Sequence, residues 1–172
     1  MKLNIGCGER RLEGYVGVDA AERSAADIKA PADKIPLEDG VAEEILAIHI
    51  IEHIYRWDVE AALAEWARLL KSGGLLVIEA PDLLKACRNV LQKKAGPKHP
   101  DQLTLWALYG DPRLKDPFMT HKWLYSFDSL KPLVEAAGFT DVTEHGTKFH
   151  VVGRGIRDFR LEARRARAIN NI

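Results

Sequence analysis

Residues able to do chemistry fall in three stretches of this 172-residue chain. In the first, Gly6-Cys7-Gly8 ends the apolar run Leu3-Asn4-Ile5, and Asp19 closes the next one, Tyr15-Val16-Gly17-Val18. A short apolar run stopped by a turn reads as a buried parallel strand. Glycines at its carboxyl end let the backbone bend sharply and let a ligand approach closely. A carboxylate at the tip of the second strand can accept hydrogen bonds from two ribose hydroxyls. Open α/β sheets bind ligands at the carboxyl ends of their strands. The pattern predicts a nucleoside-bearing cofactor held by residues 4–19.

The phosphate-bearing options fit poorly. A dinucleotide fingerprint needs a third glycine and an acid about 20 residues further on. Arg11 stands at the third-glycine position and Asp19 comes much sooner. The segment Glu9-Arg10-Arg11-Leu12-Glu13-Gly14 is too short for a crossover helix that would aim its N-terminus at a pyrophosphate. No Gly-Lys-Ser/Thr follows the glycines, so a P-loop is absent. The common nucleoside cofactor without phosphates is S-adenosylmethionine.

The second stretch is His49-Ile50-Ile51-Glu52-His53. Three readings compete. The order His-x-x-Glu-His matches an inverted zinc signature, but no further ligand carboxylate is evident, and no metal is expected. The residues could brace the sheet edge. Alternatively, His49, at the strand tip with Ile48, lines the cofactor, while Glu52 and His53 meet the acceptor. The third stretch is His121 within an aromatic-rich segment. Because a histidine titrates near neutrality, His121 and His53 are the candidate general bases; His121 is favoured because its segment should approach the acceptor.

The elements that must position these groups follow from periodicity. Strands are expected at 2–5, 15–19, 26–29, 44–48 and 75–80. Val59, Ala62, Leu63, Trp66, Leu69 and Leu70 recur at three- and four-residue spacing, so 58–70 is a helix, capped by Asp58 and stopped by Gly73-Gly74. A second helix is expected at 83–94. Residues 95–125 break the alternation with Gly96, Pro97, Pro100, Gly110, Pro112 and Pro117. An irregular stretch of this length is usually functional, and its aromatic content argues against disorder. It reads as a lid that binds the acceptor through Trp106, Tyr109, Trp123 and Tyr125; a short helix at 103–109 that only caps the sheet is the competing reading. Pro132 favours Asp128 over Ser126 as the cap of a helix ending at Ala137. Residues 139–144 and 149–154 read as an antiparallel pair. Arg157, Arg160, Arg164, Arg165 and Arg167, with Phe159, Ala163 and Ala166, read as a basic helix over 156–169.

Composition is that of one soluble domain spanning 1–172: 47% hydrophobic, 29% charged and a formal net charge of +0. Cys7 and Cys87 match no metal or redox spacing. No apolar run approaches the ~20 residues that span a bilayer, and the chain opens directly into a strand pattern, so a cytoplasmic location and no membrane partner are expected. Neutral charge argues against nucleic acid as a partner.

Leu3-Asn4-Ile5-Gly6-Cys7-Gly8 and Gly14-Tyr15-Val16-Gly17-Val18-Asp19 together resemble the start of class I S-adenosylmethionine-dependent methyltransferases, in the small subgroup associated with surface glycans and secondary metabolites. The similarity continues through Ile35-Pro36-Leu37-Glu38-Asp39-Gly40, Ala47-Ile48-His49-Ile50-Ile51-Glu52-His53-Ile54, Leu69-Leu70-Lys71-Ser72-Gly73-Gly74 and His121-Lys122-Trp123-Leu124-Tyr125-Ser126, to Gly138-Phe139. It implies a Rossmann-like, doubly wound α/β fold whose seven-stranded, mostly parallel sheet has the order 3-2-1-4-5-7-6 and a C-terminal antiparallel hairpin. It implies S-adenosylmethionine held by Asn4, Gly6, Cys7, Gly8, Asp19, Ala20, Ala32, Asp33, Ile48 and His49, and methylation of a small hydroxyl or amine acceptor, such as a sugar or secondary metabolite. Two departures stand out: Asn4 where the wider class has a carboxylate, and Pro31 where the subgroup has an aspartate. With little before the first strand, the cofactor face is expected to stay open, or to be covered by a later segment or by a second subunit of a homo-oligomer. The rival readings are a non-catalytic partner subunit of the same fold and an RNA methyltransferase.

Overall fold

The computed structural model describes residues 1–149 and 154–167. Its seven strands are β1 (Lys2–Ile5), β2 (Val16–Asp19), β3 (Ile28–Lys29), β4 (Ala42–Ile48), β5 (Leu70–Pro81), β6 (Phe139–His145) and β7 (Asp158–Arg165). They form one sheet in the order β3-β2-β1-β4-β5-β7-β6. The first five run parallel, and β7 is antiparallel to both β5 and β6. This is the Rossmann-like methyltransferase arrangement that the resemblance implied.

The sheet has two unlike faces, set by the two-residue period of strands. Leu3, Ile5, Val18, Ile45, Ala47, Leu76, Ile78, Phe159, Leu161 and Ala163 share the main hydrophobic core. Helices α1 (Val59–Leu69) and α4 (Phe127–Ala136) bury Leu63, Trp66, Leu69, Leu130 and Val134 in the same core. On the alternate positions, Glu79 of β5 pairs in register with Arg160 of β7. Arg160 donates to Glu79 Oε1 at 2.9 Å and to Glu162 Oε1 at 2.7 Å. Helices α2 (Leu83–Leu91) and α3 (Leu105–Tyr109) pack against each other.

Several expected boundaries are corrected. The arginine-rich segment is a strand, because Phe159, Leu161 and Ala163 alternate with Arg160, Glu162 and Arg164, and both sets find partners across the sheet. It is therefore β7, and not 149–154, that pairs with β6; residues 150–153 lie outside the described set. Helix α1 passes straight into β5 at Leu70, so Gly73-Gly74 belong to a register shift between β4 and β5 rather than to a helix stop. Asp58 makes no side-chain cap. The cap of α4 is Ser126, whose Oγ accepts from Ser129 N–H at 3.2 Å while Ser129 Oγ accepts from Ser126 N–H at 2.8 Å. Pro132 is carried inside α4. Between α2 and α4, the chain folds into α3 and three short 3-10 turns at Pro100–Leu103, Pro112–Leu114 and Pro117–Met119. Among the described residues, no helix is long and apolar enough to cross a membrane.

Candidate active site

The turn after β1 is locked from both sides. Gly6 has φ +70, and a Cβ there would stand 2.6 Å from Ile50 Cβ; only glycine tolerates both the left-handed backbone and the approach of the post-β4 segment. Asp19 closes the turn from below: its Oδ2 accepts from Gly8 N–H and its Oδ1 from Ala21 N–H, each at 2.8 Å. The carboxylate, partly exposed, keeps further lone pairs for a ligand.

A cavity of about 480 Å³ lies over the carboxyl ends of β1, β2 and β4. Gly6, Gly8, Asp19 and Ala20 form one wall and Pro31, Ala32 and Asp33 a second. His49, Ile50 and His53 follow, and Asp58, at the start of α1, closes that side. Asp116, Phe118 and Met119 reach over it from the 95–125 segment, so a later part of the same chain supplies cover. Arg23, 3.3 Å from Asp116, ties that cover to the loop after β2. Four carboxylates line the cavity, and, among the described residues, no lysine or arginine does. Such a wall suits a ligand with a cationic centre and ribose hydroxyls; it would repel a pyrophosphate.

At the cavity wall, His49 takes the left-handed conformation with φ +56, an unusual state for a non-glycine residue and common at functional sites. Its ring lies between two buried carboxylates, 2.8 Å from Glu52 Oε1 and 3.2 Å from Asp158 Oδ2. Burial disfavours its charge, but Glu52 and Asp158 outweigh burial and raise its pKa to about 9. Burial likewise opposes ionisation of Glu52, and His49 overcomes it, holding the carboxyl at about 2. Asp158 shows the same balance, burial against His49 and Arg157, and also settles at about 2.

The end of the 95–125 segment is pinned to this floor. Lys122 N–H, at 2.7 Å, and Trp123 N–H, at 3.3 Å, both donate to the Glu52 carbonyl. His121 is thereby brought against His53, with ring centroids 5.0 Å apart and planes at 76°. His121 Nδ1 is 2.9 Å from the Ala107 carbonyl, and burial pushes its pKa down to about 4. A second cavity of about 520 Å³ opens in the same segment, lined by Leu105, Trp106, Tyr109, Pro112 and neighbours. Asp116 and Met119 line both cavities.

Residues 3–144 match the family described as a methyltransferase domain. The chain belongs to that family. A protein of Encephalitozoon cuniculi that carries a methyltransferase designation is 26% identical over 159 residues, covering 85% of this chain and 72% of its own. Among solved structures, a SAM-dependent methyltransferase from Thermotoga maritima superposes with a TM-score of 0.65 at 22% identity, over 95% of this chain and 81% of that one. A Burkholderia thailandensis N1-methyltransferase, solved with 1,6-didemethyltoxoflavin and S-adenosylhomocysteine, superposes with a TM-score of 0.61 at 15% identity, over 96% and 70%. The methyl donor of this methyltransferase is S-adenosylmethionine, and the phosphate-repelling, Asp19-bearing cavity fits it.

Most of the expected cofactor residues of the methyltransferase stand together: Gly6, Gly8, Asp19, Ala20, Ala32, Asp33 and His49 all line the first cavity. Asn4 and Ile48 stay within their strands, outside that wall. Cys7 is buried behind the turn, where its Sγ would meet any Cβ on Gly17 at 3.0 Å. The Ala32 carbonyl is taken by Trp66 Nε1–H at 2.9 Å, which leaves the Asp33 carboxylate as the polar group at that end. Of the two histidines expected to act as bases, His53 lines the cavity and His121 stands behind it. Glu52 is buried, 1% exposed, under the floor. Trp106 and Tyr109 line the second cavity; Trp106 is held between His99 and Arg113, and Tyr109 is largely exposed. Trp123 is half-exposed and lines neither cavity, whereas Tyr125 is buried in the hydrophobic core, its backbone bridged to Asp82 just past β5. Sequence reasoning missed Asp58, Asp116, Phe118 and Met119 in the wall and Asp158 beside His49. Asp158 carried no signal while its segment read as a helix.

Proposed function

We propose that the chain methylates a hydroxyl or amine of a small acceptor, which sits in the second cavity and reaches past the wall of Asp116 and Met119 into the first, with the 95–125 segment as its lid. The observation that carries this reading is the shared wall: Asp116 and Met119 border both the cofactor cavity and the aromatic pocket beside it. S-adenosylmethionine supplies an electrophilic methyl group, so the protein's part is alignment and exclusion of water. Asp19 holds the ribose hydroxyls and Asp33 meets the adenine amino group. His53 is the group placed to take the acceptor's proton, since it faces the cavity and, unlike His121, is not walled off from it. Its Nδ1 is fixed 3.2 Å from the Thr120 carbonyl, which leaves Nε2 as the acceptor of that proton.

Calorimetry with S-adenosylhomocysteine, followed by transfer of labelled methyl from S-adenosylmethionine to a panel of sugars, phenols, amines and small acids, tests the reading. Product from at least one class supports it. Tight cofactor binding with no transfer to any class would favour a non-catalytic partner subunit; transfer to RNA alone would replace the small acceptor.

A further inference from the structure

Glu52, His53 and His121 present ligand atoms that all lie within 4.8 Å of one another. Two details go beyond proximity. Both rings are fixed through Nδ1 to backbone carbonyls, His53 to Thr120 at 3.2 Å and His121 to Ala107 at 2.9 Å. A carbonyl only accepts, so Nδ1 carries the hydrogen and each Nε2 keeps its lone pair; metal-binding imidazoles are oriented in this way. Glu52 gives Oε1 to His49 at 2.8 Å, while its Oε2, on a side chain 1% exposed, has no hydrogen-bond partner among the described residues. A buried carboxylate oxygen without a partner is destabilising, and a cation would relieve it.

We propose that Glu52, His53 and His121 bind a divalent transition-metal cation, zinc by donor type, at the acceptor end of the cofactor cavity. Two imidazoles and one carboxylate with an open position are the donor set of catalytic zinc. Ligands about 2.0–2.2 Å from zinc stand roughly 3.3 Å apart in tetrahedral geometry, so the three side chains close inward on binding. The third ligand comes from the lid, which is why the sequence pattern around Glu52 showed no complete set. The Glu52 carbonyl, by accepting from Lys122 and Trp123, fixes the spacing between the two segments. His53 lines the cofactor cavity, so an ion held by these three residues would stand at that cavity's wall. The site stands on its own geometry; only the ion's use on an acceptor rests on the methyltransferase reading, and a bound ion would make His53 a ligand instead of a base.

The test is calorimetric titration of ZnCl2 into the EDTA-stripped full chain, with a parallel cobalt(II) absorption spectrum. One ion per chain is expected, with the intense visible bands of four- or five-coordinate cobalt. His53→Ala and His121→Ala should each weaken zinc by more than the roughly 10–100-fold that follows loss of a supporting contact, while His145→Ala, on β6, should leave it unchanged. Equal losses in all three variants, no loss in His121→Ala, or an octahedral hydrated-cobalt spectrum overturns the site. Should a variant unfold, the cobalt spectrum of the unaltered chain decides. S-adenosylhomocysteine titrated into the same samples separates the two ideas: cofactor binding without zinc binding defeats only the metal site, and zinc binding without cofactor binding defeats the methyltransferase reading.

Discussion

His53 and His121 meet edge to face, their ring centroids 5.0 Å apart, although one follows β4 and the other lies near the end of the 95–125 segment. The contact makes their roles separable. His53 faces the cavity, and His121 supports it from behind with a pKa near 4 that leaves it neutral at working pH. His53→Ala should lower turnover by about 10²- to 10⁴-fold, the usual worth of a positioned base. His121→Ala should lower it less and broaden the pH profile, because the ring beside it is no longer held. Steady-state kinetics across pH, with S-adenosylhomocysteine affinity as the control, checks both.

Asp19 does two jobs with one carboxylate. It holds the glycine turn through Gly8 and Ala21 N–H, and its remaining lone pairs face the cavity. Asp19→Ala should weaken S-adenosylhomocysteine by roughly 10- to 100-fold, about 1.5–3 kcal/mol for hydrogen bonds to a charged group. Asp19→Asn should be nearly as damaging. Each oxygen serves a different backbone donor, so an amide must turn its NH2 toward one of them. Affinity by calorimetry distinguishes these outcomes from a silent substitution.

The central strands and the cofactor wall were legible because they are local: apolar runs closed by Gly6-Cys7-Gly8 and Asp19 specify a strand, a turn and an acid without reference to the rest of the chain. Residues 95–125 stood out as an irregular stretch but their contacts did not, since His121 is brought to His53 by long-range hydrogen bonds to the Glu52 carbonyl. The last strand was misread because arginines seldom sit inside a sheet. Arg160, 4% exposed, does so because Glu79 and Glu162 lie beside it. Periodicity of two through Phe159, Leu161 and Ala163 was present in the sequence, and the charges masked it.

That arrangement makes Glu79 a stability residue. It is fully buried, and it accepts from Arg160 at 2.9 Å and from Lys148 N–H at 2.6 Å. Removing Glu79 leaves the buried Arg160 with Glu162 alone and the Lys148 N–H without its acceptor. Glu79→Ala should therefore cost about 3–5 kcal/mol in urea unfolding. The double replacement Glu79→Leu with Arg160→Met should recover part of that loss, because the buried guanidinium goes with its partner and the part-exposed Glu162 that it leaves can turn to water.

The two thiols should react differently. Burial, reinforced by the neighbouring Asp19 charge, raises the Cys7 pKa, while Cys87 is exposed. A raised pKa means less thiolate at any given pH, and the thiolate is the nucleophile. Iodoacetamide at mildly alkaline pH should label Cys87 quickly and Cys7 only after denaturant is added. Mass spectrometry of the digested chain reads each site separately. Fast labelling of Cys7 in the native chain would mean that the glycine turn opens without ligand.

Gly6 tests whether that turn is held by backbone conformation or by contact. Gly6→Ala introduces a Cβ 2.6 Å from Ile50 Cβ and places alanine at φ +70. The left-handed backbone alone costs alanine roughly 1–2 kcal/mol, and the clash adds to it. Ile50→Ala does not remove the Cβ that Gly6→Ala would strike, whereas Ile50→Gly does. Combining Gly6→Ala with Ile50→Gly should thus restore part of the cofactor affinity, and combining it with Ile50→Ala should restore little, because both leave the backbone term. Equal recovery in the two double variants would show that the Ile50 side chain beyond Cβ, and not Cβ itself, sets the shape of the turn.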